Sequence, residues 1–553
     1  MVGGSGIVLS EDYYVVNFHK LCAFVASTYS DLLTTDERNW YESICSLSDP
    51  AQRLYIRLLM RRGSTFRLSR LQYQEIADIP AAVRELDRQN IGTTLPPDSL
   101  SVLLPKFRRN ELCSLLAFAD LVGRNRQDML EKIHRSAQST RQAVIETLAA
   151  ADSWITIRGH QHFSLMQLCF FGNLYQDIRE FVLRDLGSVR FADYTLSTTN
   201  RPFRTREQLE AHLEYYECRA LSEIVDRKDS QALLELAGQL PESLEPDVHL
   251  RRRVDKLRNS LARQLERLSE HQSAMALYAV SEHPPARERR VRQLMSEQRF
   301  SEALALCDSM RKQPHNEAEL QMAHKLHSKL HKRCSPKAGK VAVFKPTISR
   351  LVLKQSGSRV ELAACRFYNR SGACYYVENS LVTGILGLLI WDVIFQCVPG
   401  AFFNPFQSAP ADFLLPSFAT SRQQRLSLRL SEIDDRSRFE ARVLNNLEQY
   451  QGIANPLVHW NRLKPELLER AIDRVPAQHW HVLFNRILSD LRENTTGLPD
   501  LVFFPDQGGY ELLEVKGPGD ALQSNQRRWL DYFDQHRIPS RVVQVRWAEQ
   551  LSR

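Results

Sequence analysis

The sequence predicts a multidomain protein in which an α-helical, repeat-like N-terminal half precedes an α/β domain with a small mixed sheet. At 553 residues the chain is too long for a single hydrophobic core, and its length suggests roughly three or four domains. Helical periodicity dominates the first part, and runs of β-prone residues follow it. We expect four regions: an N-terminal helical region (1–63), a region of short helices (64–122), a repeat-like helical region ending in a basic linker (123–340) and the α/β domain (341–553).

Composition and charge indicate globular domains with a polyanionic partner. The apolar content of 43% and the charged content of 25% are those of globular domains and not of disordered chains. The formal net charge is +8, and arginine occurs in clusters that fit a polyanion, although a solvated surface explains any single cluster equally well. The clusters are Arg57, Arg61, Arg62, Arg67 and Arg70, and Arg251, Arg252 and Arg253.

Cysteine usage and hydropathy argue for a reducing cytosol and against a membrane partner. The ten cysteines include no CxxC pair, which disfavours both a structural zinc site and a disulfide scaffold. The N-terminus has no basic segment followed by an apolar run, so no secretory signal is expected. The longest apolar stretch, Leu381 to Phe395, is too short to cross a bilayer and contains Asp392, so we expect a buried helix there.

The first half of the sequence predicts helices almost throughout. Residues 10–62 have helical periodicity, and two short helices are expected at 81–86 and 110–116. A basic patch, Lys106 to Arg109, precedes the second of these helices and includes an aromatic residue. This combination fits a phosphate-backbone contact, and an ordinary helical hairpin explains it nearly as well.

The region before residue 340 predicts a series of helical hairpins that end in a basic linker at 331–340. Its helices are short and rich in Ala, Leu and Met, and prolines lie between some of them, as in tetratricopeptide-type packing. The period is irregular, so the region is only repeat-like; such arrays serve as scaffolds with a concave binding face. The expected helices are 230–240, 272–280, 286–297, 301–310 and 317–330.

A hairpin near the end of the chain carries the most informative residues. An apolar strand at 501–504 follows Asp500, and a Pro- and Gly-containing turn at 505–509 leads to a second strand that begins at Tyr510. If the turn is centred on Gln507, antiparallel pairing places Asp500 opposite Glu514. We expect the hairpin to follow a helix at 481–493 and to precede a helix at 521–536 and a strand at 540–547, an order that suits a small sheet flanked by helices.

The residues at the mouth of this hairpin predict divalent-metal chemistry. Lys516 points to the same face as Glu514, because residues two apart on a strand share a face. Opposed carboxylates repel each other, and a metal ion is the simplest reason to place Asp500 and Glu514 together. In phosphodiester hydrolysis they would bind Mg²⁺, with the Val515 carbonyl as a further ligand, and Lys516 would orient the attacking water and stabilise the oxyanion.

Other acids compete for the same site. Asp506 is excluded because it lies in the hairpin turn. The strand from Tyr510 to Glu514 spans roughly 13 Å, so Asp506 cannot share a metal ion with Glu514. Surface charges on an exposed hairpin are the alternative explanation of the motif, and its apolar neighbours argue against that. Glu378 is the candidate third carboxylate, since a lone acid among apolar residues is costly without a partner, although an acid favoured by a helix N-terminus fits equally well. Asp392 is the weaker rival.

These motifs resemble a known nuclease family. The runs Gly497 to Leu501 and Glu514 to Asp520, with Leu522, Gln526 and Trp529, resemble the VRR-NUC class of PD-(D/E)xK, restriction-endonuclease-like nucleases. The likeness covers most of the chain and extends to the Fanconi-associated nuclease family, including its SAP-type DNA-binding region. Its other segments are Arg70 to Ile76, Leu103 to Leu116, Glu378, Gly387 to Phe395, Ser417 to Arg422, Arg486, Asp490 and Arg492.

The resemblance implies a structure-specific DNA nuclease that cuts near 5′ flaps, with 5′-to-3′ exonuclease activity of the phosphodiesterase I type. It further implies a role in DNA repair, including that of interstrand crosslinks, and one or two Mg²⁺ or Mn²⁺ ions per site. The implied catalytic residues are Glu378, Asp500, Glu514 and Lys516, with Gln526 in support, and the implied metal ligands are Glu378, Asp500, Glu514 and Val515.

One departure from the family and two alternative functions accompany this resemblance. No Cys/His spacing matches the ubiquitin-binding zinc finger of eukaryotic members, which indicates a bacterial protein of the cytoplasm or nucleoid, whereas eukaryotic members are nuclear. A Holliday-junction resolvase is the close enzymatic alternative, and a dimer on DNA would favour it, but the long helical half argues against it. A non-catalytic DNA-binding scaffold is the other alternative, and the intact Asp500, Glu514 and Lys516 argue against it.

Overall fold

The computed structural model describes residues 12–116, 125–181, 189–242, 247–334, 344–354 and 357–548, in two compact units. The first unit comprises Met1–Ser188 and Phe203–Leu209, and the second comprises Val189–Pro202 and Glu210–Arg553. In the described part of the chain, no helix has the length and apolarity that a membrane span requires. The sequence-based division into four regions stays a prediction.

The first unit combines nine described helices with a small antiparallel sheet. The helices expected within 10–62 and at 81–86 and 110–116 are confirmed, but the expectation of an almost wholly helical half is wrong. Its three strands, in the order β1-β3-β2, have only two to four residues, too few to give a periodic pattern. The elements are α1 (Tyr13–Thr28), α2 (Thr35–Cys45), α3 (Asp49–Leu59), β1 (Thr65–Arg67), α4 (Ile79–Arg88), β2 (Gly92–Thr93), α5 (Leu100–Leu103), α6 (Arg109–Leu116), α7 (Arg126–Arg135), α8 (Gln138–Ala150), β3 (Trp154–Ile157) and α9 (His160–Phe171).

Several arginines of the first predicted cluster form ion pairs within this unit. The Arg67 guanidinium, 9% exposed, lies between Glu111 at 2.7 Å and Asp152 at 2.8 Å. Arg57 pairs with Glu75 at 2.8 Å, and Arg70 also contacts Glu111. The buried Arg67 guanidinium therefore helps to hold the fold of the unit together, because a buried charge requires a partner, whereas the more exposed pairs of Arg57 and Arg70 contribute less.

The second unit begins with the helical array that the sequence predicts. The five expected helices are present, and a longer helix carries Arg251 to Arg253. The expected start of the basic linker is wrong, since residues 331–334 continue the last helix; residues 335–343 lie outside the described part. The helices are α10 (Arg206–Ile224), which begins in the first unit, α11 (Ser230–Gly238), α12 (Val248–Arg267), α13 (His271–Ala279), α14 (Ala286–Ser296), α15 (Phe300–Lys312) and α16 (Glu317–Cys334).

A five-stranded mixed sheet with the order β4-β8-β7-β6-β5 forms the centre of the C-terminal part. β4 and β7 pair with β8 in parallel, whereas β7-β6 and β6-β5 are antiparallel. The predicted strand at 348–353 and the helix, hairpin, helix and strand order are confirmed, and the edge strand β5 was not expected. The elements are β4 (Ile348–Leu353), α17 (Val360–Tyr368), β5 (Gly372–Tyr376), β6 (Leu501–Pro505), β7 (Glu511–Lys516), α26 (Ser524–Gln535) and β8 (Ser540–Trp547).

A helical insertion between β5 and β6 supplies the largest part of the core on one side of the sheet. The predicted buried helix is confirmed: every residue of Ser380–Leu389 is buried, although a break at Ile390 ends it earlier than expected. This apolar helix packs on the helices Arg436–Gln449 and Ala477–Ser489. That packing fixes the position of the turn at Glu378, which immediately precedes the apolar helix. The helices of the insertion are α18 (Ser380–Leu389), α19 (Trp391–Ile394), α20 (Ser417–Thr420), α21 (Gln423–Ser431), α22 (Arg436–Gln449), α23 (Pro465–Arg474), α24 (Ala477–Ser489) and α25 (Leu491–Asn494).

Candidate active site

The hairpin β6-β7 has the register that a turn centred on Gln507 predicts. Leu501 pairs with Leu513, and Val502 pairs with Leu512. One step further toward the open end, this register sets Asp500 opposite Glu514. β7 lies between β8 and β6, so the Glu514 carboxylate projects from a central strand of the sheet.

Glu514 is enclosed and held by two donors. Its side chain is 1% exposed, and its Oε1 accepts hydrogen bonds from Lys516 Nζ at 2.8 Å and from Gln526 Nε2 at 2.6 Å. Gln526 is itself fixed, because its Oε1 accepts the backbone N–H of Gln523 at 2.9 Å in a capping box at the start of α26. The helix N-terminus thus sets the orientation of the carboxylate.

Asp500 is held through backbone groups on both sides. Its Oδ2 accepts the Val515 N–H at 2.9 Å, and its carbonyl accepts the N–H groups of Val377 at 2.8 Å and Glu378 at 3.1 Å. The N–H and C=O of one strand residue point to the same edge of the strand. The Val515 carbonyl therefore faces the same side as the Asp500 carboxylate, where a metal ligand is needed.

The electrostatics of the site favour a divalent cation. Burial raises the pKa of Asp500 to about 6. Burial, and then the charge of Asp500, raises the pKa of Glu514 to about 8, although the Lys516 ammonium opposes the shift. One ammonium is thus too little positive charge for two enclosed carboxylates, and a set of carboxylate and carbonyl oxygens is what Mg²⁺ prefers. The residues present fit a divalent metal ion.

Glu378 lies beside these residues but does not join them. The expected environment of a buried acid is wrong: the Glu378 side chain is 45% exposed and precedes α18 instead of lying within it. Its Oε2 accepts hydrogen bonds from the Tyr376 hydroxyl and from Arg462 Nη1, the latter at 3.3 Å. Among the residues that the structure describes, no three Asp, Glu, His or Cys side chains converge closely enough to hold a metal ion.

Asp392 and Asp506, the other two acids, lie away from the site and in the hairpin turn. Asp392 forms a forked ion pair with Arg429, at 3.0 Å from Oδ1 to Nε and 2.9 Å from Oδ2 to Nη2, which accounts for it structurally. Asp506 is exposed in the hairpin turn, as expected.

Sequence reasoning missed three residues near the site. Glu361, in the first turn of α17, lies near enough for its charge to act on both Asp500 and Glu514. Tyr376 and Arg462 contact Glu378, and Arg462 is 84 positions away from it along the chain. No local pattern marks Arg462, because its role comes from packing of the helical insertion.

Two family models match the chain. The VRR-NUC domain matches residues 434–547, and the model described as "FAN1, HTH domain" matches residues 12–91. Both matches fall on regions in which the fold is described above, the first including the hairpin, α26 and β8.

Several nucleases are similar to the chain over nearly its whole length. A Fanconi-associated nuclease 1 homolog of Pseudomonas aeruginosa is 35% identical over 545 residues, covering 97% of this chain and 96% of that protein. The homolog of Arabidopsis thaliana is 25% identical over 94% of this chain but only 65% of its own length. A crystal structure of paFAN1 bound to a 5′-flap DNA superposes with a TM-score of 0.85 at 33% identity, covering 98% of this chain and 99% of that one.

The likeness extends over both units and includes the hairpin residues. Such coverage, at this identity, shows common descent of the whole arrangement and not of the nuclease fold alone. The PD-(D/E)xK site implies dependence on a divalent metal ion. The chain belongs to the Fanconi-associated nuclease family and is a structure-specific DNA nuclease.

Proposed function

We propose that the protein hydrolyses the DNA backbone near 5′ flaps, with 5′-to-3′ exonuclease activity, in repair that includes interstrand crosslinks. The observation that carries this proposal is the pair of enclosed carboxylates, Asp500 and Glu514, opposed on central strands beside Lys516. The similar protein paFAN1 was crystallised with 5′-flap DNA, which supports the choice of substrate.

In the proposed reaction each residue has a separate task. One or two Mg²⁺ or Mn²⁺ ions would neutralise phosphate charge and lower the pKa of the attacking water. Asp500, Glu514 and the Val515 carbonyl would hold the metal, and Glu378 would complete the set. Lys516, held by its ion pair with Glu514, would donate hydrogen bonds to the attacking water and to the phosphate oxygen on which negative charge develops. Gln526 keeps Glu514 in place.

A basic cavity in the second unit supports binding of a DNA phosphate. The cavity has a volume of about 510 Å³, and its lining includes Arg252, His283 and Arg492 together with the acids Asp255, Glu282, Glu317 and Asp490. Burial, and then the charges of Arg252 and Lys256, lowers the pKa of His283 to about 4. Burial, and then Arg492, also lowers the pKa of Arg252, and within the described ranges no carboxylate pairs with Arg252 or Arg492. Cations that repel one another in this way are stabilised by an anion.

Asp490 is one of the acids that line the cavity, and its charge acts on Arg252 without forming an ion pair with it. The Asp490 carboxylate accepts backbone N–H groups of Glu317 at 3.2 Å and Glu493 at 3.1 Å. A second cavity, which shares Pro284 and Asn316 with the first, continues to Asn525, the neighbour of Gln526. We infer that a phosphate near a DNA end binds in the basic cavity and that the strand runs along this path toward Glu514.

The remaining expectations belong to the same proposal. Mg²⁺ and Mn²⁺ are both compatible with the oxygen ligands. A bacterial nucleoid location and recruitment without a ubiquitin-binding finger are predictions from the sequence, which leaves dimerisation on DNA open. A resolvase would cut a four-way junction symmetrically, and a scaffold would bind DNA without cutting it.

The test is cleavage of end-labelled 5′-flap, 3′-flap, four-way-junction and duplex DNA with Mg²⁺, Mn²⁺ or EDTA. We expect metal-dependent cutting near the 5′ flap by the wild type, and loss of cutting but not of DNA binding in Asp500→Asn. Asp506→Asn is the matched control, since it removes an acid from the same hairpin outside the site. Symmetric junction cutting would replace the proposal with the resolvase, and binding without cutting under every metal would replace it with the scaffold.

The cavity has its own measurement. Arg252→Ala should weaken binding of a flap that carries a 5′-phosphate more than binding of the same flap with a 5′-hydroxyl. Arg263→Ala, on the same helix but paired with Glu266 at 2.9 Å, is the control. Equal losses for the two DNAs would show that Arg252 does not bind the terminal phosphate.

A further inference from the structure

The turn at Val377–Asn379, called here the Glu378 turn, has a backbone locked beside Asp500. Glu378 and Asn379 have φ values of 21° and 60°, in a region that residues other than Gly rarely adopt. The N–H groups of Val377 and Glu378 both donate to the Asp500 carbonyl, and Asn379 Oδ1 accepts the Leu498 N–H at 2.9 Å. These bonds offset the unfavourable conformation and hold the Glu378 backbone at the site.

The Glu378 side chain is restrained differently, by two residues at the protein surface. The Tyr376 hydroxyl and Arg462 both bind its Oε2, and the Arg462 guanidinium lies 4.9 Å from the centre of the Tyr376 ring. The Glu378 and Arg462 side chains are 45% and 38% exposed. In this position the carboxylate does not form a ligand set with Asp500 and Glu514 in the described part of the protein.

The restraint on Glu378 is one that a nucleic acid can remove. An exposed ion pair contributes little net stability, because water screens both charges. A phosphate offers the Arg462 guanidinium forked, charge-assisted hydrogen bonds that a single contact at 3.3 Å to Glu378 does not. Once Arg462 binds phosphate, the Glu378 carboxylate loses its cation and gains from turning to a metal ion.

We infer that Arg462 is a positioning residue that keeps Glu378 away from the metal ligands until Arg462 binds a DNA phosphate. This inference rests on the proposed function, because it assumes that Asp500 and Glu514 hold a metal ion. Glu378 then completes the metal site only in the DNA complex, and the free enzyme holds its metal through fewer ligands. The metal site and the DNA backbone are thereby coupled through one side chain.

The test measures Mn²⁺ affinity by electron paramagnetic resonance, with and without a 5′-flap DNA whose linkages near the branch are cleavage-resistant phosphorothioates. In the DNA complex, we expect Glu378→Gln to lower the Mn²⁺ affinity by about tenfold or more, as loss of a group that tunes a metal site does. In the free protein, the same variant should change the affinity by less than about twofold. An equal loss with and without DNA would overturn the inference.

Variants of Arg462 supply the second arm. Arg462→Met, which keeps an apolar stem on Tyr376, should raise the Mn²⁺ affinity of the free protein, and adding Glu378→Gln should remove that gain. Arg425→Met removes a half-exposed arginine 3.9 Å from Asp392 and should leave the affinity unchanged. If Arg462→Met also leaves it unchanged, or if Arg425→Met raises it equally, Arg462 does not position Glu378.

The metal site and the role of Arg462 can be tested separately. Glu514→Gln should abolish Mn²⁺ binding with and without DNA. If this variant binds Mn²⁺ like the wild type, the proposed metal site is wrong. If Glu514→Gln abolishes binding but the Arg462 and Glu378 variants show no dependence on DNA, the site stands and the role of Arg462 is wrong. Arg462→Met should also weaken flap binding in EDTA and lower its salt dependence by about one counterion.

Discussion

The two strands of the hairpin and the Glu378 turn bring carboxylates to one site in opposite physical settings. Asp500 and Glu514 start from central strands, and Glu514 is 1% exposed with two fixed donors. Glu378 starts from a turn after an edge strand, and its side chain is 45% exposed. Burial fixes the first pair and raises its pKa values, whereas exposure leaves Glu378 free to change partners. The structure therefore sets a rigid pair of carboxylates beside a third, exposed acid that contacts Arg462 and Tyr376.

Removing a carboxylate of the rigid pair should have the largest effect. We expect Asp500→Asn and Glu514→Gln each to lower kcat by about 100-fold or more, because the amide no longer neutralises a metal ion. Single-turnover cleavage at saturating Mg²⁺ measures this loss. Asp506→Asn should cleave like the wild type, and an equal loss in this control would mean that the charge of the hairpin matters more than the opposed pair.

The pH dependence of stability tests the burial of this pair. The folded pKa values of about 6 for Asp500 and about 8 for Glu514 lie above their ordinary values of 3.8 and 4.5. Between those limits the folded protein binds more protons than the unfolded chain, so the free energy of unfolding falls as pH rises. Without metal, raising the pH from about 5 to about 8.5 should increase the free energy of unfolding of Glu514→Gln, relative to that of the wild type, by on the order of 1–3 kcal/mol.

Chemical denaturation of both proteins in EDTA at the two pH values measures this difference. Saturating Mg²⁺ should remove it at the higher pH, because the ionised carboxylates then have a cation. If the free energy of unfolding of wild type and of Glu514→Gln changed with pH in parallel, ionisation of Glu514 would not destabilise the folded protein.

The support for the rigid pair should matter less than the pair itself. Gln526→Leu removes the donor to Glu514 and half of the capping box of α26, so we expect kcat to fall by about tenfold. Gln535→Leu, at the exposed end of the same helix, is the control and should leave kcat unchanged. If both variants lose activity equally, the effect comes from the helix and not from Glu514.

Asp392 is an acid of the same helical insertion, and its ion pair with Arg429 has a structural role only. Asp392→Asn should lower the free energy of unfolding by about 1 kcal/mol through loss of the Arg429 pair. Its cleavage rate and Mn²⁺ affinity should equal those of the wild type. A loss of metal affinity would show that Asp392 contributes to the site.

Local signals explain why the hairpin could be predicted and the Glu378 turn could not. The Pro and Gly residues at 505–509 fix the turn, and the turn fixes the register, so the pairing of Asp500 with Glu514 follows from neighbouring residues alone. Glu378 was predicted from its apolar sequence neighbours and from the resemblance, but its environment was misjudged because its partner Arg462 lies 84 positions away, in the helical insertion. The short strands of the first unit escaped for a related reason, since two to four residues carry no period.

The sequence by itself determined most helices of the first half, the repeat-like array, the hairpin and the chemical type of the site, because periodicity, turn residues and strand alternation act over a few residues. Only the tertiary structure decided which cations form ion pairs, as Arg67 does, and which have no carboxylate partner among the described residues, as is the case for Arg252 and Arg492. It also decided that Glu378 rests on Arg462 and Tyr376. Burial and long-range charge pairing depend on which distant segments pack together, and no short stretch of sequence specifies that.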